Sequence, residues 1–260
     1  MKGILIYNSN DYFKNTVYAD WLIREANLID IQLFLVFEED FLTKGFEINK
    51  NNIKFAINRS RNFQISLILE LNNIRVFNNS NITLLGNNKL AAYKYAKEKN
   101  VDYPTIYASW DYNNKVISKL NSGHGGIGVT LLNNDVILPS HDRIQQEYVA
   151  NCIGDIRFYI LNNTIIHCVL RKPKSGIVSN FSMGGSIEQY KYTHEELRTV
   201  EKLIAGLNID YAGVDFLLTN ENKLLFNEIE DVVGSRMLSA LGINDTSTLF
   251  LSHIKNSLYY

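Results

Sequence analysis

The apolar positions of the first hundred residues fall into two kinds of pattern. Residues 3–7 (Gly3-Ile4-Leu5-Ile6-Tyr7) and 31–37 (Ile31 to Phe37) are short, nearly continuous apolar runs. Between them, after a polar gap, a stretch near 14–27 spreads Val17, Trp21, Leu22 and the pair Arg24-Glu25 over different faces of a helix. Short apolar runs joined through a helix predict buried strands with a crossover, the β-α-β opening of a small parallel sheet. Segments near 53–58 and 74–77 predict further strands, with a helix from about 61 to 72 between them. Residues 88–99 carry Leu90, Ala91, Tyr93, Ala96 and Lys97 without Gly or Pro, and predict another helix.

Beyond Pro104, which biases its neighbour toward extended backbone, the pattern turns to strands. Thr105-Ile106-Tyr107, Val116-Ile117, Val129 to Leu132 and Val136-Ile137-Leu138 are its apolar runs. A third region begins near 144 and predicts a hairpin from Arg157–Leu161 and Thr164–Leu170 about Asn162-Asn163. Thr193 and Glu196 have the spacing of a capping box. The helix they open carries Leu197, Val200, Leu203, Ile204 and Leu207 on one apolar face. A closing helix spans about 246 to 257. The expected organisation is therefore three lobes, at 1–85, 86–147 and 148–260, in a mixed α/β (α+β) fold.

Composition narrows the function classes. At 260 residues and 46% hydrophobic the chain can bury a substantial core. A formal net charge of -1 offers no bulk attraction to nucleic acid or to a membrane surface. Cys152 and Cys168 lack metal spacing and read as free, buried thiols. The apolar start is too short for a signal segment and no stretch has the length of a membrane span, so the expectation is a cytoplasmic protein. The many asparagines fall at turns.

Two segments carry chemistry. Gly123-His124-Gly125-Gly126-Ile127-Gly128 spells the letters of a dinucleotide-binding turn, but that motif needs a helix directly after it. Here Val129 to Leu132 reads as strand. A Walker loop needs its lysine after the glycines, whereas Lys119 precedes them. What remains is a lysine on a strand followed by a glycine turn between antiparallel strands. Such a turn can bring backbone N–H groups close to phosphate oxygens while the lysine adds a point charge. A mobile hairpin tip without a ligand is the other reading, and His124 at its tip reads as solvated.

The second segment is a hairpin, Gly213 to Leu218 and Lys223 to Glu230, around Thr219-Asn220-Glu221-Asn222. Pairing Thr219 with Leu224 puts Leu217 opposite Phe226 and Asp215 opposite Glu228, with Glu230 on the same face. Three acids on one face of apolar strands repel one another and call for a cation. A divalent metal with bridging phosphates meets that need; so does pairing with Arg236 or another basic residue.

Taken in order, Lys119 with its glycine turn, Gln146-Glu147-Tyr148-Val149, Gly154-Asp155-Ile156-Arg157, Ala212-Gly213-Val214-Asp215 and Asn227-Glu228-Ile229-Glu230 resemble the ATP-grasp superfamily, nearest its RimK-like carboxylate–amine ligases. The resemblance covers about 86 to 240. It implies the ATP-grasp fold: a Rossmann-like N-terminal lobe, a small lid lobe with Gly125 and Gly126 in its hairpin, and a C-terminal antiparallel-sheet lobe. It implies ATP and magnesium, with manganese as an alternative, and amide formation through an acyl-phosphate. Lys89 and Lys119 match phosphate-binding lysines, and Gln146 to Val149 the hinge that reads adenine. Asp155 matches a ribose contact, Asn180 the closing loop, and Asp215 and Glu228 metal ligands. Arg157 and Arg171 match arginines near the phosphates or the acyl-phosphate, with a surface ion pair as the other reading of either. Glu230 stands where the family usually has Asn and is kept as a metal ligand. The segment Asp231 to Arg236 departs from the family's turn, and Arg236 is placed to bind a substrate carboxylate or to pair with Asp231 or Glu230. The implied partners are a small-molecule or peptide carboxylate and an amine, and a homo-oligomer is compatible with the sequence. A phosphotransferase and a non-catalytic nucleotide sensor are the rival readings.

Overall fold

The computed structural model describes residues 1–44, 52–107, 115–132, 142–173 and 185–259. The expected strand at 136–138 and Asn180 lie outside them.

The first sheet is built by β1 (Lys2–Tyr7), α1 (Ser9–Asn27), β2 (Gln32–Phe37), α2 (Glu38–Lys44), β3 (Phe55–Asn58), α3 (Phe63–Leu71) and β4 (Arg75–Phe77). Its strands are parallel in the order β2-β1-β3-β4. Both faces of β1 are covered: Ile4 and Ile6 join one apolar cluster, Leu5 and Tyr7 another. The chain leaves β1 toward one edge of the sheet and β3 toward the other. The crevice past the carboxyl ends of these two neighbours is the place where open α/β sheets take ligands. Short helices α4 (Ser80–Asn87) and α5 (Lys89–Glu98) follow. Sequence periodicity did not foresee α2 and α4, each barely two turns long. Asn8, Asn62, Asn79 and Asn88 are the N-caps of α1, α3, α4 and α5. Asn73, Asn100, Asn162, Asn163 and Asn222 sit in left-handed turns. Both uses follow from a short amide that bonds its own backbone, and they explain why asparagine falls where chain direction changes.

The second sheet contains β5 (Ile106–Tyr107), β6 (Val116–Leu120), β7 (Thr130–Leu132) and β8 (Arg143–Glu147), antiparallel in the order β5-β8-β6-β7. The third runs β11-β10-β9-β12-β13, from β9 (Cys152–Leu161), β10 (Thr164–Lys172), β11 (Ser186–Gln189), β12 (Tyr211–Thr219) and β13 (Leu224–Glu230). Helix α6 (His194–Ile204) opens with the foreseen capping box. Helices α7 (Arg236–Ala240) and α8 (Thr246–Tyr259) close the chain.

The two faces of the third sheet have different fates. Ile156, Phe158, Ile160, Val214 and Phe216 pack under α5 and α6. The opposite face is divided along its length. Tyr159, Leu161 and Tyr211 pack with α8 and with Leu5, Phe55 and Phe77 of the first sheet. Further along, the same face carries Asp155, Arg157 and Asp215, all buried. No helix among the described residues is long and apolar enough to cross a membrane. The thiols of Cys152 and Cys168 are free; Cys168 is buried, Cys152 only half-buried.

Candidate active site

Strand register assembles the charged face. Asp155 lies opposite Arg171 of β10, and Arg157 opposite Asp215 of β12. Asp215 in turn lies opposite Glu228 of β13, with Glu230 opposite Gly213. Acid thus faces base across β10, β9 and β12, while β12 and β13 set two acids side by side. Arg157 Nε and Nη2 donate to the two oxygens of Asp215 at 2.7 and 2.6 Å. Arg171 Nη2 donates to Asp215 Oδ2 at 2.5 Å, and its Nε to Asp155. Arg157 also pairs with Glu230. A Cβ on Gly213 would sit 3.2 Å from Arg157 Cδ, so the missing side chain makes room for the arginine stem.

The expected hairpin register is corrected by a bulge. Leu218, not Thr219, pairs with Leu224, and Phe216, not Leu217, faces Phe226. The register shifts after Asp215, so Asn227 is the extra residue, and the offset restores Asp215 opposite Glu228. The extra residue projects its amide to Lys119, whose Nζ donates to Asn227 Oδ1 at 2.9 Å.

Lys119 sits on β6 with its ammonium buried, also donating to Tyr93 Oη at 3.0 Å. Burial pulls its pKa down to about 7, against the attraction of Glu228. Lys89 opens α5, bonds Gly123 O and pairs with Glu228 Oε2 at 3.0 Å. Burial is the largest influence on Glu228 and would raise its pKa; Lys89, through its charge and its hydrogen bond, and Lys119 together hold the carboxyl below its ordinary value. Burial also opposes ionisation of Asp215, yet the two arginines bring it to about 2. Asp155 is raised to about 6 because burial exceeds what Arg171 returns. Glu230 is raised by burial too.

A cleft runs between the second and third sheets. Lys89, Lys119, Gly125, Gly126, Gln146, Glu147, Tyr148, Val149, Asp155, Arg171 and Glu228 all line it. Gly125, Gly126 and Gly128 have positive φ (64°, 76° and 72°), so the turn over the cleft has a backbone that L side chains resist. Within the hinge, Glu147 N–H is spent on Thr105 O and Tyr148 N–H on Lys115 O. Val149 N–H has no backbone partner among the described residues. A second chamber adjoins the first at Glu228 and Arg171 and holds Arg157, Glu230 and Arg236. Arg236 is exposed and has no ion-pair partner among the described residues.

The three acids share one sheet face but do not form a ready cation cage. Among the described residues no three metal-binding side chains are gathered closely enough. Asp215 is fully buried, with its oxygens taken by arginines, so pairing with basic residues describes the acid row in this state. Glu230 Oε2, by contrast, is buried without a directed hydrogen bond despite its nearness to Arg157. Together with Glu228 at the junction of the chambers, it is the oxygen donor set that suits a hard divalent ion.

Sequence reasoning missed Tyr93, Asn227 and Arg61. Tyr93 lies four residues after Lys89, one helical turn along the same face, and that spacing was available. Asn227 owes its role to the bulge. Arg61 lines the second chamber from the loop after β3, paired with Asp11 of α1, and only the tertiary fold brings it there.

A family model for the RimK-like ATP-grasp domain matches residues 75–252. An uncharacterized protein of Mycoplasma genitalium is 28% identical over 255 residues, covering 92% of this chain and 87% of its own. A probable alpha-L-glutamate ligase of Stutzerimonas stutzeri is 27% identical over 153 residues, 55% of this chain and 50% of its own length. The D-alanine–D-alanine ligase of Bacillus anthracis complexed with ATP has the same fold, with a TM-score of 0.73 at 14% identity over 100% of this chain and 97% of that one. The chain belongs to the RimK-like ATP-grasp family and is, by class, an ADP-forming carbon–nitrogen ligase.

Proposed function

We propose that the protein joins a small-molecule or peptide carboxylate to an amine through an acyl-phosphate, with ATP in the first chamber and the reacting acid in the second. The observation that carries this reading is the arrangement of charge: Lys89 and Lys119 in one chamber, Arg157 and Arg236 in the next, and Arg171 and Glu228 at the junction. Free carboxylate is a poor electrophile. Its oxygen attacks the γ-phosphorus, ADP departs, and the acyl-phosphate so formed has phosphate as a leaving group. Lys89 and Lys119 bind the phosphates, Val149 N–H the adenine edge, and Asp155 the ribose. Arg157 and Arg171 stabilise the charge that develops where the chambers meet, and Arg236 binds a substrate carboxylate. Magnesium, or manganese in its place, would be held by Glu228 and Glu230 with Asp215 behind them, and would neutralise the β- and γ-phosphates.

The test is to incubate the protein with ATP, magnesium, each of the common amino acids as the acid, and hydroxylamine. ADP formed together with a hydroxamate supports the reading; ADP formed with hydroxamate from none of them contradicts it. Glu228→Gln and Glu230→Gln should each lower turnover roughly 100-fold while the proteins stay folded. Asp215→Asn is a poorer probe, since it removes the buried carboxylate that Arg157 and Arg171 share and leaves them only Glu230 and Asp155, which should destabilise the fold by about 3–5 kcal/mol.

A further inference from the structure

Three cavities meet at one side chain. His124, at the tip of the glycine turn, lines the nucleotide chamber, the arginine-lined second chamber, and a polar crevice at the carboxyl ends of β1 and β3. No other described residue lines all three. The imidazole is exposed, as its place on a hairpin tip suggested, and it borders all three cavities. It stands where a group entering from the crevice meets a group activated in the second chamber.

We propose that His124 is the general base of amide formation, taking from the bound ammonium the proton whose loss frees its electron pair for attack on the acyl-phosphate carbonyl; this rests on the acyl-phosphate reading above. An amine at neutral pH is an ammonium ion with no free electron pair, so the step needs an acceptor. Written in full, acyl-phosphate plus ammonium gives amide, hydrogen phosphate and one proton. The new bond is C–N, the bond broken is C–O to phosphate, and two protons leave nitrogen. His124 takes the first, which frees the electron pair, and passes it to solvent through the crevice. The second departs with phosphate as HPO4(2−).

The surroundings keep the imidazole ready for this. Partial loss of solvent around the ring lowers its pKa below the ordinary histidine value, and Arg61, Lys89 and Lys14 act in the same direction, with Asp11 opposing. Glu228 and Glu230 line the second chamber with it. A neutral imidazole at pH 7 can accept a proton; an imidazolium cannot. The turn that carries His124 has Gly125 beside it in a left-handed conformation, with open space where a side chain would stand, so the tip is held there without backbone strain.

Hydroxylamine separates this role from a structural one, because it is unprotonated at neutral pH and needs no base to free its electron pair. The acid identified by hydroxamate formation is paired either with hydroxylamine or with an amino acid as the amine, in wild type, His124→Gln and His124→Ala. The amide rate should fall roughly 100-fold in both variants, with hydroxamate formation falling less than about tenfold. Added imidazole should restore amide formation in His124→Ala. The wild-type amide rate should decline as pH falls through the imidazole pKa, a limb missing from His124→Gln. A parallel fall in both products, or no fall in either, overturns the assignment. Absence of hydroxamate in wild type defeats the acyl-phosphate reading instead, and this one with it.

Discussion

Lys119 shows how a single side chain can be made sensitive to its ligand. A lysine in the unfolded chain titrates near 10.4; burial brings this one to about 7. Its folded pKa lies below the unfolded one, so between those values the folded protein binds one proton fewer, and stability rises with pH across that window. Bound polyphosphate reverses the balance, because negative charge beside the ammonium favours the protonated form. ATP binding should therefore take up a proton above about pH 7, and affinity should weaken as pH rises past it. Titration calorimetry in buffers of different ionisation enthalpy measures this directly. Uptake near zero at about pH 6, approaching one proton at about pH 8.5, and vanishing in Lys119→Met is the expected result. Equal uptake at both pH values would contradict the assignment of Lys119 to the phosphates.

At the scale of the element, β12 and β13 make the site by a small irregularity. Regular pairing would have left no residue at the position of Asn227 to reach Lys119. The bulge was not legible in the sequence, since nothing in Leu224 to Glu230 marks one residue as extra, whereas the alternation of acid and apolar positions did reveal which face is charged. Likewise the hairpin about Asn162-Asn163 could be read from its turn residues, and the capping box from Thr193 and Glu196. Helix α4 could not, because its core positions Ile82, Thr83 and Leu85 are too few for a period to show. Gly213 offers a test of this element. Its missing side chain admits Arg157, and a Cβ there would lie 3.1 Å from Val233 and 3.2 Å from Arg157. Gly213→Ala should cost about 1–3 kcal/mol in urea unfolding, by overpacking. Displacement of the guanidinium should also lower hydroxamate formation by more than tenfold. Unchanged turnover in a folded variant would remove Arg157 from the chemistry.

The whole molecule places three sheets around one meeting point. The third sheet supplies the acid row, the second covers it with a glycine turn, and the first contributes Arg61, Asp11 and the crevice beyond β1 and β3. Asn78, just after β4, binds the first sheet to the third: its Oδ1 accepts from Asp210 and Tyr211 N–H, and its Nδ2 donates to Asp231. That loop then leads from Glu230 to Arg236, so the wall of the second chamber is set by a contact between lobes. The strands of the three sheets were largely visible in the order of apolar runs, but their convergence on His124 was not, because it depends on loops distant in sequence. The central claim is that carboxylate is activated by phosphorylation, and the fate of its oxygen decides it. With the acid labelled by oxygen-18 at its carboxylate, phosphate released during amide formation is read by phosphorus NMR or mass spectrometry. The mechanism predicts one labelled oxygen in each inorganic phosphate and none in ADP. Amide formed with unlabelled phosphate, or label carried into AMP, would contradict it.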